Sequence, residues 1–181
     1  VRTIPIILEG GNVVVISPAA SGKTEAVVAP AVERLLPGRR DRFSILYVSP
    51  TRALVNDLFR RLSEPLAYLE LALARKTGDH PAIDESKLPF MLITTPESFD
   101  SLLCRHTRIF QELSVVILDE LHLLDNTPRG DQLRVLLERL RLINADIRYH
   151  ALSATIDDLD IGSRYFPDPV VVQVPGRREI D

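Results

Sequence analysis

The segment 17–24, which reads Ser-Pro-Ala-Ala-Ser-Gly-Lys-Thr, carries the clearest chemical signal in the sequence. Phosphate-binding loops end in the same way, with a glycine, a lysine and a hydroxyl residue, here Gly22, Lys23 and Thr24. In such loops backbone N–H groups hold phosphate oxygens, the lysine reaches the β- and γ-phosphates, and the hydroxyl ligates Mg²⁺. We therefore predict a Mg²⁺-nucleotide site here. The other residues of the predicted loop are Ser17, Ala19, Ala20 and Ser21.

An ordinary tight turn with an exposed lysine is the alternative interpretation of this segment. Ser17 stands where the loop pattern has its first glycine, a departure that bears on the flexibility and anion affinity of the loop. The flanking sequence favours the phosphate loop, because an apolar run at 12–17 precedes it and a helix is predicted from Glu25 onwards. A strand, a loop and a helix in this order are the context that phosphate binding requires.

Two adjacent acids, Asp119 and Glu120, follow the apolar run Val115–Leu118. At the end of a buried strand beside a phosphate loop, the aspartate would hold Mg²⁺ through water, and the glutamate would orient and deprotonate an attacking water. The alternative is that both acids belong to a solvated turn. His122, two residues further on, is either a third catalytic group or an ordinary hydrogen-bonded loop residue.

The elements that must position these residues follow from the hydrophobic pattern. Short apolar runs rich in β-branched residues, which are predicted strands, lie at 12–17, 45–49, 90–94, 115–118, 148–153 and 170–174. Between them, helical spacing is clearest at Leu54, Val55, Leu58, Phe59 and Leu62, and again at Leu133, Leu136, Leu137, Leu140 and Ile143. This alternation predicts an α/β fold with a mainly parallel sheet covered on both faces, and ligands at the carboxyl ends of its strands.

Length and composition narrow the class of protein. At 181 residues, 45% of them hydrophobic, the chain can bury one core, and we expect a single domain over residues 1–181. A net charge of −3 gives no overall attraction to a polyanion, so nucleic-acid binding would depend on local backbone donors and a few placed side chains. One cysteine, Cys104, excludes an internal disulfide framework and a cysteine-rich zinc site. With no apolar stretch of about 18 residues and no signal-peptide pattern, we expect a cytoplasmic protein without a membrane segment.

Six short elements occur in one order along nearly the whole chain, and together they resemble the motifs of superfamily 2 DEAD/DExH-box helicases. They are 17–24 (motif I), 50–54 (motif Ia), 77–79 (a Gly-Asp element), 94–98 (motif Ib), 119–122 (motif II) and 153–155 (motif III). Arg129 and Gly130, followed by Leu-Glu-Arg-Leu at 137–140, look most like the large helicase-related (Lhr) branch. The resemblance implies a RecA-like P-loop domain, a three-layer α/β/α sandwich that binds ATP and Mg²⁺ in an ATP-dependent DNA or RNA helicase.

The same resemblance implies roles for individual residues. The residues expected to contact the backbone of single-stranded or duplex DNA or RNA are Pro50, Thr51, Arg52, Gly78, Thr95, Pro96 and Glu97. Such contacts would position a strand without reading its base sequence. Ser153 and Thr155 would couple this surface to the ATP site through hydrogen bonds near Asp119 and His122. The Mg²⁺ ligands would be Thr24 and Asp119.

Turn chemistry is the alternative for the residues of motifs Ia and Ib. Pro50 would then end a strand, Thr51 would cap a helix, and Glu97 would occupy the first turn of another helix. The sequence leaves both interpretations open for each of these residues.

Some of the family's features fall outside the sequence or depart from it. The glutamine with which family members recognise adenine would align just before Val1, and motifs IV to VI belong to a second RecA-like domain. Within the phosphate loop, Ala20 stands where many helicases have a further glycine. We therefore expect a motor that needs the second domain as its partner, and a chain that is monomeric and nearly inactive by itself.

Two other functions compete with a helicase. A duplex translocase or remodelling ATPase would use the same motifs without separating strands. Ser17 and Ala20 in the phosphate loop lend slight support to a non-catalytic nucleotide-gated binding module. The intact set Lys23, Thr24, Asp119 and Glu120 argues against the non-catalytic module. A GTPase is disfavoured because the sequence has no Asn-Lys-x-Asp motif for guanine recognition.

Overall fold

The structure is a computed structural model and describes residues 2–18, 21–38, 40–78, 84–154 and 158–174. Within these residues, seven strands pair in parallel to form one sheet. In chain order they are β1 (Asn12–Ile16), β2 (Ile45–Val48), β3 (Leu73–Lys76), β4 (Met91–Thr94), β5 (Val115–Leu118), β6 (Arg148–Ser153) and β7 (Pro169–Gln173). Their order across the sheet is β3-β4-β2-β5-β6-β1-β7.

The described α-helices cover both faces of the sheet. They are α1 (Thr3–Leu8), α2 (Lys23–Leu35), α3 (Arg52–Tyr68), α4 (Pro96–Arg105) and α5 (Pro128–Ile143). Successive residues of a strand point to opposite faces, so Val13 and Val15 share a core with α1, α2 and α3, whereas Val14 and Ile16 share one with α4 and α5. This arrangement confirms the predicted three-layer sandwich. No described helix has the length and apolar character that a membrane span needs.

A threonine caps three of the described helices, two of which, α3 and α4, begin within four residues of the strand before them. The caps are Thr51 for α3, Thr95 for α4 and Thr127 for α5, and each hydroxyl accepts a hydrogen bond from the backbone N–H three residues further on, at 3.2, 3.4 and 3.2 Å. The first turns of α3 and α4 therefore lie at the carboxyl ends of β2 and β4, where N–H groups at a helix start can meet an anion.

Strand β3 is the main difference between the predicted and the observed fold. All six predicted strands are present, with ends that move by a residue or two. β3 reads Leu-Ala-Arg-Lys, is only partly buried and forms the edge of the sheet beside β4. A four-residue edge strand without β-branched residues lacks the apolar pattern that identifies the other strands.

Candidate nucleotide site and nucleic-acid surface

The loop between β1 and α2 is closed by a serine where the phosphate-loop pattern has its first glycine. Ser17 is buried; its N–H donates to the carbonyl of Ser153 at 3.1 Å, and its hydroxyl donates to the hydroxyl of Ser21 at 2.7 Å. Gly22, directly before α2, has a φ of 77°, a left-handed conformation that favours glycine. Ser17 therefore connects the start of the loop to its end. Ala19 and Ala20 lie outside the described residues.

Lys23 joins this loop to the acid motif. The residue is the first of α2 and is only 7% exposed. Its Nζ lies 3.6 Å from Oε2 of Glu120, and neither atom makes a hydrogen bond among the described residues. A buried ammonium group excludes the alternative of an ordinary turn with an exposed lysine.

Asp119 lies at the same edge, directly after β5. Its N–H donates to the carbonyl of Val48 at 2.8 Å, and its Oδ2 accepts a hydrogen bond from the hydroxyl of Ser49 at 3.2 Å. Burial, and next the charge of Glu120, raise the pKa of Asp119 to about 6, although the Ser49 hydroxyl acts in the opposite direction. With a side chain this buried, Asp119 is not part of a solvated turn. A cation beside it would favour the ionised carboxylate.

The buried hydroxyl of Tyr47 lies near the side chains of both Thr24 and Asp119. Burial, and next the charge of Asp119, raise the pKa of Tyr47 well above its ordinary value, while the Thr24 hydroxyl lowers it. The Tyr47 hydroxyl makes no hydrogen bond of standard geometry among the described residues. A carboxylate and a hydroxyl beside a phosphate loop form the oxygen donor set that Mg²⁺ takes in nucleotide sites, so these residues fit that ion.

Glu120 has a backbone conformation that the sequence does not reveal. Its φ is 40°, in the left-handed region that residues other than glycine seldom adopt. Its side chain is 23% exposed and lies between Lys23 and His122, whose Nδ1 is 3.5 Å from Oε2 of Glu120. Strained backbone of this kind is concentrated at functional sites.

His122 connects the acid motif to motif III. Its Nδ1 accepts a hydrogen bond from the N–H of Ala154 at 3.2 Å, which places the proton of a neutral ring on Nε2. Partial burial, despite the attraction of Glu120, lowers the pKa of His122, and the charge of Lys23 adds to this effect. The backbone N–H of Ala154, which lies between Ser153 and Thr155 in sequence, thus makes a contact of the kind expected of those two residues. Ser153 is buried beside it, and Thr155 lies outside the described residues.

Two cavities open at the carboxyl edge of the sheet. The first, about 520 Å³, lies between the phosphate loop, α1 and β7 and is lined by Thr3, Gly22, Lys23, Val172 and Gln173, among others. The second, about 540 Å³, lies between the first turns of α3 and α4. Both volumes are in the range of small-molecule sites.

The second cavity contains most of the residues expected to contact nucleic acid. Those that line it are Pro50, Arg52, Gly78, Thr95 and Glu97. Two others lie elsewhere: Thr51 is exposed and caps α3, and Pro96 is buried at the start of α4. The cap of Thr51 and the place of Glu97 in the first turn of α4 also show the turn chemistry that was the alternative interpretation. For Thr51, Thr95 and Glu97, the turn role is therefore observed and the nucleic-acid role stays a prediction.

A family model described as DEAD/DEAH box helicase matches residues 1–161. The chain belongs to the DEAD/DEAH box helicase family. This result confirms the resemblance inferred from the order of the motifs.

The comparison with individual helicases points in the same direction. The ATP-dependent helicase Lhr-Core protein 2 of Thermococcus barophilus is 37% identical over 175 residues, covering 84% of this chain and 20% of the relative. The Lhr-Core helicase of Methanocaldococcus jannaschii is 35% identical, covering 96% of this chain and 24% of the relative. The solved structure of Mycobacterium smegmatis helicase Lhr bound to ssDNA and AMP-PNP has a TM-score of 0.85 at 31% identity, covering 96% of this chain and 25% of that one. The chain thus spans about a quarter or less of the length of these helicases.

Within this helicase domain, the second cavity also contains two basic residues to which the sequence analysis gave no role. Lys76 is the last residue of β3, the strand that was not predicted, and its carbonyl accepts a hydrogen bond from the Thr94 hydroxyl at 2.8 Å. Arg129, at the start of α5, was noted only as a marker of the Lhr branch. Its position in the cavity depends on contacts with residues far away in sequence, which no local pattern indicates.

Proposed function

We propose that this chain is the first RecA-like motor domain of an ATP-dependent helicase, which binds Mg²⁺-ATP at the phosphate loop and one nucleic-acid strand across the second cavity. The observation that carries the proposal is the convergence of a buried lysine and two acids at one edge of a parallel sheet. Lys23 and Glu120 are 3.6 Å apart, and Asp119 is fixed between Val48 and Ser49. This geometry matches phosphoryl transfer from ATP to water.

Each residue of the site has a distinct task in this proposal. Lys23 binds the β- and γ-phosphates, and Glu120 orients the attacking water and accepts its proton. Thr24 and Asp119 are the residues that would hold Mg²⁺, Asp119 through water, and the ion would supply positive charge beside the phosphates. His122 contacts the backbone of motif III, so a change at the acid motif would be passed to the segment after β6.

The nucleic-acid part of the proposal rests on the second cavity and on the Lhr structure, which holds ssDNA together with a nucleotide analogue. The carboxyl edge of this chain offers backbone N–H groups at the starts of α3 and α4, and Arg52 and Lys76 as cations. Local donors of this kind explain how a chain with a net charge of −3 binds a polyanion. The proposal covers a DNA strand and an RNA strand alike.

The second RecA-like domain belongs to this proposal as the partner that completes the ATP site. An arginine supplied to the transferred phosphate raises the rate about 10³–10⁵-fold in related phosphoryl-transfer systems. We therefore predict that this chain by itself hydrolyses Mg²⁺-nucleotide at a negligible rate. We also predict that it folds as a monomer and binds Mg²⁺-nucleotide weakly. A cytoplasmic location is part of the same proposal.

Strand-displacement assays on the full-length protein test the proposal against its alternatives. A helicase separates a labelled duplex with ATP and fails with a non-hydrolysable analogue. A duplex translocase hydrolyses ATP on the same substrate but leaves the strands paired, and a nucleotide-gated binding module binds the substrate without hydrolysis. Either of the last two results would replace the helicase proposal.

A further inference from the structure

Arg129 bonds to two separate segments that line the second cavity, which is the proposed nucleic-acid surface. Its Nε donates to Oε1 of Glu97, in the first turn of α4, at 2.6 Å. Its Nη2 donates to the carbonyl of Pro50, in the turn before α3, at 2.7 Å. Both distances are short, as expected where the donor is charged. One guanidinium group therefore fixes the starts of two helices relative to one another.

The shape of the side chain matters for this connection. A guanidinium group is planar and presents its N–H groups in a rigid fork, so that one side chain can reach a carboxylate and a carbonyl at the same time. Lysine carries the same charge on a compact ammonium group at the end of a flexible stem. Lysine at position 129 would keep the charge but would not hold both partners in one fixed arrangement.

The partner of Arg129 is an acid on a surface that is proposed to bind phosphates. Although partial burial acts to raise it, hydrogen bonds from Arg129 and from the backbone lower the pKa of Glu97, so its side chain is ionised at neutral pH. A free carboxylate here would repel a phosphate, and the ion pair offsets that charge. Glu97 thus has a structural reason to lie on this surface.

Arg129 also stands on the segment that follows the acid motif. Thr127 caps the first turn of α5, and Gly130 packs so closely on Leu124 that a Cβ at position 130 would lie 2.2 Å from the Leu124 carbonyl oxygen. The first turn of α5 is therefore fixed against the segment that leads out of the ATP site. Through it, Arg129 connects that segment to the loops of motifs Ia and Ib.

We propose that Arg129 is a positioning residue of the nucleic-acid surface, which holds the turn before α3 and the first turn of α4 in the arrangement that lets both contact the same strand. This inference rests on the proposed function, because it assumes that the second cavity binds a strand. It assigns to Arg129 no contact with the strand itself.

The test compares Arg129→Lys with wild type in the full-length protein, by titrating labelled homopolymers at several salt concentrations. Binding should weaken about tenfold, because the hydrogen bonds of a charged group are lost. The dependence on salt should stay the same, because the charge is kept. Arg139→Lys is the matched control, since Arg139 links α5 to Asp100 of α4 at 3.6 Å outside the cavity, and it should leave strand binding unchanged.

Glu97→Gln gives an independent test on a side chain that is about half exposed. On charge alone, removal of this acid would strengthen binding to a polyanion, whereas loss of its bond to Arg129 predicts weaker binding. In the Glu97→Gln background, Arg129→Lys should cost less than it does in wild type, because part of the connection is already gone.

Several results would overturn the inference. They are wild-type strand affinity in Arg129→Lys, tighter binding by Glu97→Gln, and additive losses in the double variant. An equal fall in affinity for a labelled nucleotide, with a lower melting temperature, would show that Arg129 only stabilises the fold. If wild type itself bound no homopolymer, the proposed function would fail, and this inference with it.

Discussion

Nζ of Lys23 lies 3.6 Å from Oε2 of Glu120, so an ion pair between a buried lysine and a partly exposed glutamate joins the phosphate loop to the acid motif. The two side chains have different tasks in the proposed reaction, although they are neighbours. Variants of the two residues should therefore have different defects.

In the full-length protein, Lys23→Ala should weaken binding of Mg²⁺-ATP, because a positive charge on the β- and γ-phosphates is lost. Glu120→Gln should bind the nucleotide nearly as well as wild type and be slow in hydrolysis. Calorimetry measures the binding, and single-turnover assays measure the chemical step. Equal losses of nucleotide affinity in both variants would show that Glu120 does not activate the water.

A buried histidine should make the fold sensitive to acid. His150 in β6 is 1% exposed, and neither ring nitrogen makes a hydrogen bond among the described residues. Burial, and next the charge of Arg34, lower its pKa from 6.5 to about 4. Above pH 6.5 the ring is neutral in the folded and the unfolded chain. Below it, the unfolded chain takes up a proton that the folded chain does not, so stability is lost progressively until about pH 4.

Asp119 should shift stability in the opposite direction over the same range. Because its pKa is raised to about 6, its burial is unfavourable at neutral pH, and stability is regained as the pH falls from 6 towards 3.8. When the pH falls from 7 to 5, the free energy of unfolding of His150→Leu should therefore rise by roughly 2 kcal/mol relative to that of wild type. The free energy of unfolding of Asp119→Asn should fall by about 1 kcal/mol relative to that of wild type. Urea unfolding of this chain at the two pH values measures both. If the stabilities of His150→Leu and wild type changed equally with pH, the acid sensitivity could not be assigned to His150.

Gly130 should not tolerate a side chain. A Cβ at this position would lie 2.2 Å from the Leu124 carbonyl oxygen and 2.8 Å from the hydroxyl of Tyr165, so backbone would have to move. Gly130→Ala should lower the free energy of unfolding by about 1–3 kcal/mol or more. Gly38→Ala, at an exposed site where a Cβ would be 3.3 Å from the Leu35 carbonyl oxygen, is the control and should cost much less. Similar unfolding curves for the two variants would contradict this packing.

The contacts of motifs Ia and Ib should be insensitive to base sequence. In the full-length protein, Arg52→Ala and Thr95→Ala together should weaken single-strand binding about equally for every homopolymer. Arg52→Ala should also reduce the slope of log affinity against log salt by up to about 0.7, because one charge is lost. Thr95→Ala should leave the slope unchanged. Because Thr95 caps α4, Thr95→Ser keeps the cap and serves as its control. A loss for one base alone, or none, would remove these residues from the surface.

The strands and the phosphate loop could be predicted because their signals are local. Runs such as Val115–Leu118 are apolar and β-branched, and the Gly-Lys-Thr ending of the loop has a meaning that depends only on its neighbours. β3 could not be predicted in this way, because Leu-Ala-Arg-Lys becomes a strand only through pairing with β4. Because β3 was not predicted, Lys76, which that strand places in the second cavity, was not recognised as a candidate site residue.

The contacts that organise the site depend on tertiary packing. Arg129 bonds to the Pro50 carbonyl across 79 positions of sequence, and the backbone N–H of Ala154 in motif III bonds to His122. The left-handed conformation of Glu120 is likewise fixed by its surroundings, since the residue type disfavours it. Residue types predicted that Lys23, Asp119 and Glu120 share a site, but only the folded chain shows that Lys23 and Glu120 touch.

The most direct measurement of the central claim is steady-state ATP hydrolysis by the full-length protein with and without a saturating single strand, for wild type and Glu120→Gln. We expect the strand to stimulate hydrolysis by wild type. Glu120→Gln should still bind strand and nucleotide but should hydrolyse ATP at least about 100-fold more slowly, as expected when a general base is lost. If the strand did not change the rate of ATP hydrolysis by wild type, or if Glu120→Gln hydrolysed ATP as fast as wild type, the assignment of an ATP-driven nucleic-acid motor would be contradicted.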